Sequence, residues 1–218
     1  MSFSARKIVS ALIVGVLGSI LAAIIMMKIE PRLKERFFPP ERKLIYSLTV
    51  QKMRDDKPYQ EPFQSVGQEI FENGYKFKLN LYSSEAGYIY LFNEGMADDS
   101  RVYFNILYPT PNRNNGSAQV AANQQIVTED NKFGGQPDTE KLWIAWTKEP
   151  QPELESARTS AFANAGKIKS DSEARSLREF LEKHSARQPE INRDIAHKQT
   201  VLKSTSEIIV SLLSLEHR

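Results

Sequence analysis

The chain is expected to be mainly β: an N-terminal transmembrane helix followed by an antiparallel β-sandwich with two helices inserted before its last strand. Three observations point there. In Tyr75, Phe77, Leu79 and Leu81 large apolar residues take every second position, with Lys76, Lys78 and Asn80 between them, the period of a strand with one buried face. Residues 8–27 form an unbroken run of 20 residues without a charge. Two stretches rich in alanine, glutamate and arginine, 153–164 and 172–186, interrupt the β-like segments, with Ala174, Leu177, Phe180 and Leu181 at helical spacing.

The apolar run is long enough to cross a hydrocarbon core of about 30 Å at about 1.5 Å per residue. A cleaved signal peptide is the alternative, and Arg6 and Lys7 suit its basic start. The run exceeds the usual apolar length of such peptides, and Lys28, Ile29 and Glu30 follow it rather than a small-x-small site. Ala11, Gly15, Ser19 and Ala23 recur every fourth residue, giving a face on which a second helix can approach closely; small residues are also simply frequent in membrane helices. A basic juxtamembrane linker, 28–43, carries Pro39 and Pro40, which stop a helix. Two basic residues precede the helix and six follow it closely. That count places the large domain in the cytoplasm, whereas a short basic start, one anchor and a long domain is also the layout of an exported domain.

The sandwich is expected over 44–218. It opens with a strand at 44–53, where Tyr46, Leu48 and Val50 alternate, then a polar turn at 54–58 and an edge or loop at 59–65 containing Pro62. Residues 75–95 read as a β-hairpin, with Ser83 to Gly87 as its turn and Tyr88 to Phe92 as its second strand. A strand at 102–108 leads into a long exposed loop, 109–117, built from proline, asparagine and glycine. A return to the sheet follows at 121–127. The strand at 141–148 holds both tryptophans and is expected to be deeply buried. Asp171 or Ser172 is the expected cap of the second helix. The helical insertion, about 153–198, precedes a closing β-branched strand at 205–215.

Composition narrows function more by exclusion than by assignment. Arg6, Lys7 and the linker hold 8 basic and 3 acidic residues, leaving 21 basic against 24 acidic elsewhere. No basic patch remains by this count, so nucleic acid is not an expected partner. The absence of cysteine removes thiolate catalysis and thiolate metal sites. His184, His197 and His217 lie far apart and outside any metal-ligand spacing, so they are expected to be solvated or structural. Asp55 with Asp56, Asp98 with Asp99, and Glu129 with Asp130 lack the alternating oxygen ligands of a calcium loop. Gly116 and Ser117 lack a nucleophile elbow. No catalytic residue, metal or cofactor is expected. The candidate interaction surface is Tyr82, Tyr88 and Tyr90 on the sheet together with Asn112, Arg113, Asn114 and Asn115 in the loop. Tyrosines on an open sheet face can stack on a sugar or peptide, and such residues more often lie beneath helices.

Over 44–152 the chain resembles the bacterial family called domain of unknown function 4384. The likeness rests on GQEIFENGYKFKLNLYSSEAGYIYLFNEG and ILYPTPNRNNGS, in which Gly67, Tyr75, Gly87, Tyr88, Tyr90, Leu91, Pro109, Asn114 and Asn115 fill the family's places. The residues through Leu215, Glu216 and His217 are similar to the version found behind a membrane helix in some bacterial serine/threonine kinases. The resemblance implies a β-sandwich core and a sensor domain outside the cell membrane. The kinase itself is missing, since no glycine-rich loop, His-Arg-Asp or Asp-Phe-Gly is present. The functional expectation is a single-pass membrane protein whose domain is a non-enzymatic interaction or sensory module for a protein or envelope component. The alternatives are a structural or assembly component that homo-oligomerises through its helix, and a hydrolase with an unfamiliar site.

Overall fold

The computed structural model describes residues 39–96, 101–134, 138–187 and 189–218. The expected membrane helix, with its face of Ala11, Gly15, Ser19 and Ala23, lies outside them. Among the described residues no helix is long and apolar enough to cross a membrane.

The unit Glu41–Arg218 is mainly β. It begins with β1 (Arg42–Gln51), the small ribbon β2 (Met53–Arg54) and β3 (Lys57–Pro58), and β4 (Phe63–Ser65). Then come β5 (Lys76–Ser83), β6 (Gly87–Met96), β7 (Val102–Tyr108), β8 (Gln119–Val120), β9 (Ile126–Val127), β10 (Asn131–Lys132) and β11 (Asp138–Thr147). Helix α1 (Pro152–Ala163), β12 (Lys167–Ile168) and α2 (Asp171–Ser185) precede β13 (Glu190–Asp194), β14 (Gln199–Ser204) and β15 (Ile208–His217). One sheet runs β10-β5-β1-β14-β13, with β4 beside β1 and β9 beside β5; the second runs β12-β7-β6-β11-β15, with β8 beside β6.

Two cores make three layers. Leu44, Leu48, Leu79 and Leu81 of the first sheet meet Leu91, Ile144, Trp146 and Leu215 of the second. On the other face of the second sheet, Tyr90, Phe92, Phe104 and Trp143 pack under Leu154, Ala157, Leu177 and Phe180 of the helices. Each such fully buried large side chain stabilises the fold by roughly 1.5–3 kcal/mol. Burial on both faces explains the near-continuous apolar runs of β6 and β11, whereas β5, covered on one face, alternates.

The expected hairpin at 75–95 is not formed. Its two strands exist, but β5 pairs with β1 and β6 pairs with β11, in different sheets. The corner between them is fastened to β1: the Lys43 amide donates to Ser84 Oγ at 2.9 Å, and the Ser84 amide to the Lys43 carbonyl at 2.9 Å. Gly87 makes the crossing possible, since a Cβ there would lie 2.6 Å from the Thr147 carbonyl and 2.7 Å from the Trp146 indole nitrogen.

Three further expectations are corrected. The helices precede three strands rather than one, because β13 and β14 form a hairpin on the first sheet before β15 crosses to the second. Of the return expected at 121–127 only β9 is a strand, and it joins β5; β8, which precedes that stretch, joins β6. The cap of α2 is Ser170, whose Oγ accepts from the Glu173 amide at 3.4 Å.

Candidate functional site

Strands β6, β11 and β15 of the second sheet keep their parity as they run out of the sandwich, but the residue types change. On the face that carries Ile89 and Leu91 in β6, the next positions are Asn93 and Gly95. In β11, Asp138 and Glu140 precede Leu142 and Ile144, and in β15 His217 follows Leu213 and Leu215. β7 contributes Tyr103 and Asn105. Core-facing positions thus become a polar shelf at one end of the two sheets, around a cleft of about 490 Å³ lined by Asn93, Gly95, Tyr103, Asp138, Glu140 and His217.

Each side chain on the shelf is held. Asn105 Nδ2 donates to Asn93 Oδ1 at 3.4 Å, and Asn93 Nδ2 donates to Glu140 Oε2 at 2.7 Å. The other oxygen of Glu140 lies 3.7 Å from Nε2 of His217. His217 is 4% exposed, and its Nδ1 lies 2.7 Å from Asn73 Oδ1. An amide oxygen can only accept, so Nδ1 carries the proton and Nε2 is turned to Glu140. Phe133 lies beside the imidazole, ring centres 5.7 Å apart. Backbone hydrogen bonds from the Phe71 amide to Glu216 and from the Arg218 amide to Phe71 clamp the Asn73 segment to the end of β15. Tyr103, 37% exposed, lies directly across from Gly95 with its ring over the glycine, where no Cβ would fit. Asp138 stands opposite His217 in the β11–β15 ladder. The shelf therefore offers two carboxylates, amide groups, an imidazole and one open aromatic ring. No group of three metal-ligating side chains is assembled among the described residues.

The surface expected from the sequence is dispersed. Tyr90 is fully buried beneath α1, its hydroxyl donating to Glu155. Burial, and next the Glu155 carboxylate, push its phenol above the usual range. Tyr88 packs at the margin of the same layer, and Tyr82 is half-buried on β5 of the other sheet. The loop at 109–117 is fastened down rather than free. Asn114, Asn115 and Gly116 take left-handed conformations with φ of 53°, 51° and 74°, and Asn114 Nδ2 donates to the carbonyls of Ser117 and Gln119, both at 2.7 Å. Arg158 of α1 donates to the Gly116 carbonyl at 3.1 Å, and Phe162 leaves no room for a Cβ on Gly116. Asn112, Arg113 and Asn115 remain exposed.

Asn73, Asn93, Tyr103, Asp138, Glu140 and His217 come from segments far apart in the chain. One signal in the sequence marks most of them: a polar residue at the position where the alternation of a buried face calls for an apolar one. No family model, curated protein or solved structure matches the chain.

Proposed function

We propose that this chain is a non-enzymatic recognition module, held at a membrane by residues 8–27 with its domain turned outward, that takes a protein or envelope component on the polar shelf. The observation that supports this reading is the change from apolar to hydrogen-bonding residues at core-facing positions around a cleft of about 490 Å³, a size that suits a small ligand or one end of a larger one. Glu140 and Asp138 accept hydrogen bonds from hydroxyl or ammonium groups, and the Tyr103 ring offers a stacking face.

The test is a saturation-transfer NMR screen of sugars, amines and short peptides against the full chain in non-ionic detergent, repeated with Tyr103→Ala and Glu140→Gln. Ligands that bind the wild type and are lost in both variants support the reading. A screen without a hit, or hits that survive both substitutions, refutes it. The close approach of His217 and Glu140 also favours a second reading, acid–base hydrolysis on the same shelf. Turnover of ester or glycoside substrates that disappears in His217→Gln would establish it.

A further inference from the structure

A second site lies on the opposite side of the β6–β7 ribbon, where the start of β7 faces β12 and the first two turns of α2. Two adjoining pockets of about 260 and 210 Å³ share Arg101, Val102, Asp171 and Ala174. Asp171, Ala174, Arg175 and Arg178 recur at helical spacing and so form one stripe of α2, and Lys167 and Lys169 come from β12 and the residue after it. Val102, Ile168 and Ala174 supply an apolar floor, the last two buried.

Among the described residues that line the two pockets, Arg101, Lys167, Lys169, Arg175 and Arg178 stand against one carboxylate, Asp171. Arg101 pairs with Asp171 at 3.5 Å, and Arg178 is shared between Glu94 at 3.7 Å and Glu182 at 2.8 Å. Among the described residues, Lys167, Lys169 and Arg175 have no carboxylate within ion-pair distance. Like charges gathered around a concave surface repel one another until an anion enters, and the amino end of α2, at the rim of both pockets, adds its positive dipole.

We infer that this groove binds phosphate groups. The arginines present planar forks that match phosphate oxygens, the lysines add point charges, and the apolar floor receives a carbon group esterified to the phosphate. Two sources share this chemistry, a free phosphate ester and the headgroup of an anionic lipid.

The experiment is calorimetric titration of the full chain in non-ionic detergent with glycerol 3-phosphate, a free phosphate ester, and with phosphatidic acid carried in the detergent micelles. Wild type is expected to bind with an affinity that falls as salt rises. The triple variant K167E/K169E/R175E should bind about tenfold or more weakly, and Asp171→Asn several-fold more tightly, because it removes the carboxylate that lines both pockets. The gain in Asp171→Asn cannot come from misfolding, so it guards against a triple variant that fails to fold. Tighter binding of phosphatidic acid than of glycerol 3-phosphate assigns the groove to a lipid headgroup; equal or weaker binding assigns it to free phosphate esters. No binding of either probe, or the same affinity in wild type and both variants, overturns the inference.

Discussion

Replacing Glu94 by glutamine tests how the helical layer is fastened to the second sheet. The carboxylate is 7% exposed on the helix-facing side of β6. One oxygen accepts from Trp143 Nε1 at 2.6 Å, and the other lies 3.7 Å from Arg178 of α2 and 3.8 Å from Lys141. Glutamine keeps the shape and one acceptor oxygen but removes the charge. A hydrogen bond to a charged acceptor contributes about 1.5–3 kcal/mol and a neutral one about 0.5–1.5, so the Trp143 bond weakens by about 1 kcal/mol. The Arg178 and Lys141 side chains are 39% and 44% exposed, so each lost ion pair adds only a few tenths of a kcal/mol. The expected loss is about 1–2 kcal/mol in all. Urea unfolding of the full chain in detergent, followed by tryptophan fluorescence, should show a lower midpoint with an unchanged slope. A double-mutant cycle with Trp143→Phe should return a coupling of about 1 kcal/mol. A Glu94→Gln midpoint at or above wild type would refute the reasoning. It would mean that desolvating this carboxylate costs more than its partners return, and that apolar contacts alone hold the helices.

Two further outcomes follow from the same packing. Gly87→Ala drives a methyl to within 2.6 Å of the Thr147 carbonyl, an overpacking cost of about 1–3 kcal/mol or more, and should lower Tm in thermal melts, whereas Gly134→Ala, with no atom of the described residues within 4 Å, should leave it nearly unchanged. Tyr90 links stability to alkaline pH. Its phenol, raised by burial and by Glu155, stays protonated in the fold after the unfolded phenol begins to ionise near pH 10. Its contribution is therefore complete below about pH 10 and is lost as pH rises above it; melts across that range should flatten in Tyr90→Phe.

Much of the β content was legible because burial leaves a period in the sequence. β1, β5, β7 and β11 fall where alternation or an apolar run places them, and the two helices where the 3.6-residue spacing does. Pairing was not legible. Neighbouring strands joined by a short turn suggest a hairpin, yet the one-face alternation of 76–82 and the two-face burial of 88–92 already differ as strands of different sheets do. Parity failed locally as well: a bulge opposite Leu91 and Phe92 turns Tyr108 into the inter-sheet core, while Phe104 and Ile106 face the helices. The shelf was hidden because its residues are gathered only by folding, from segments as distant as Asn73 and His217. Charge counting missed the basic groove for the same reason: the tally over the whole chain is nearly balanced, while the fold draws five cations from three separate stretches to one place.

The order of the strands also dictates when this domain can close. β11 lies between β6 and β15, and its pairing with β15 spans from Asp138↔His217 to Thr147↔Ile208. Until residues 208–217 have been made, Trp143, Ile144 and Trp146 have one flank without a partner strand, and both hydrophobic layers stay open along that side. Helices α1 and α2 leave the ribosome earlier but have only part of their sheet to settle on. The second sheet therefore closes only once residues 208–217 are made, because among the described residues β11 has no other partner for that edge.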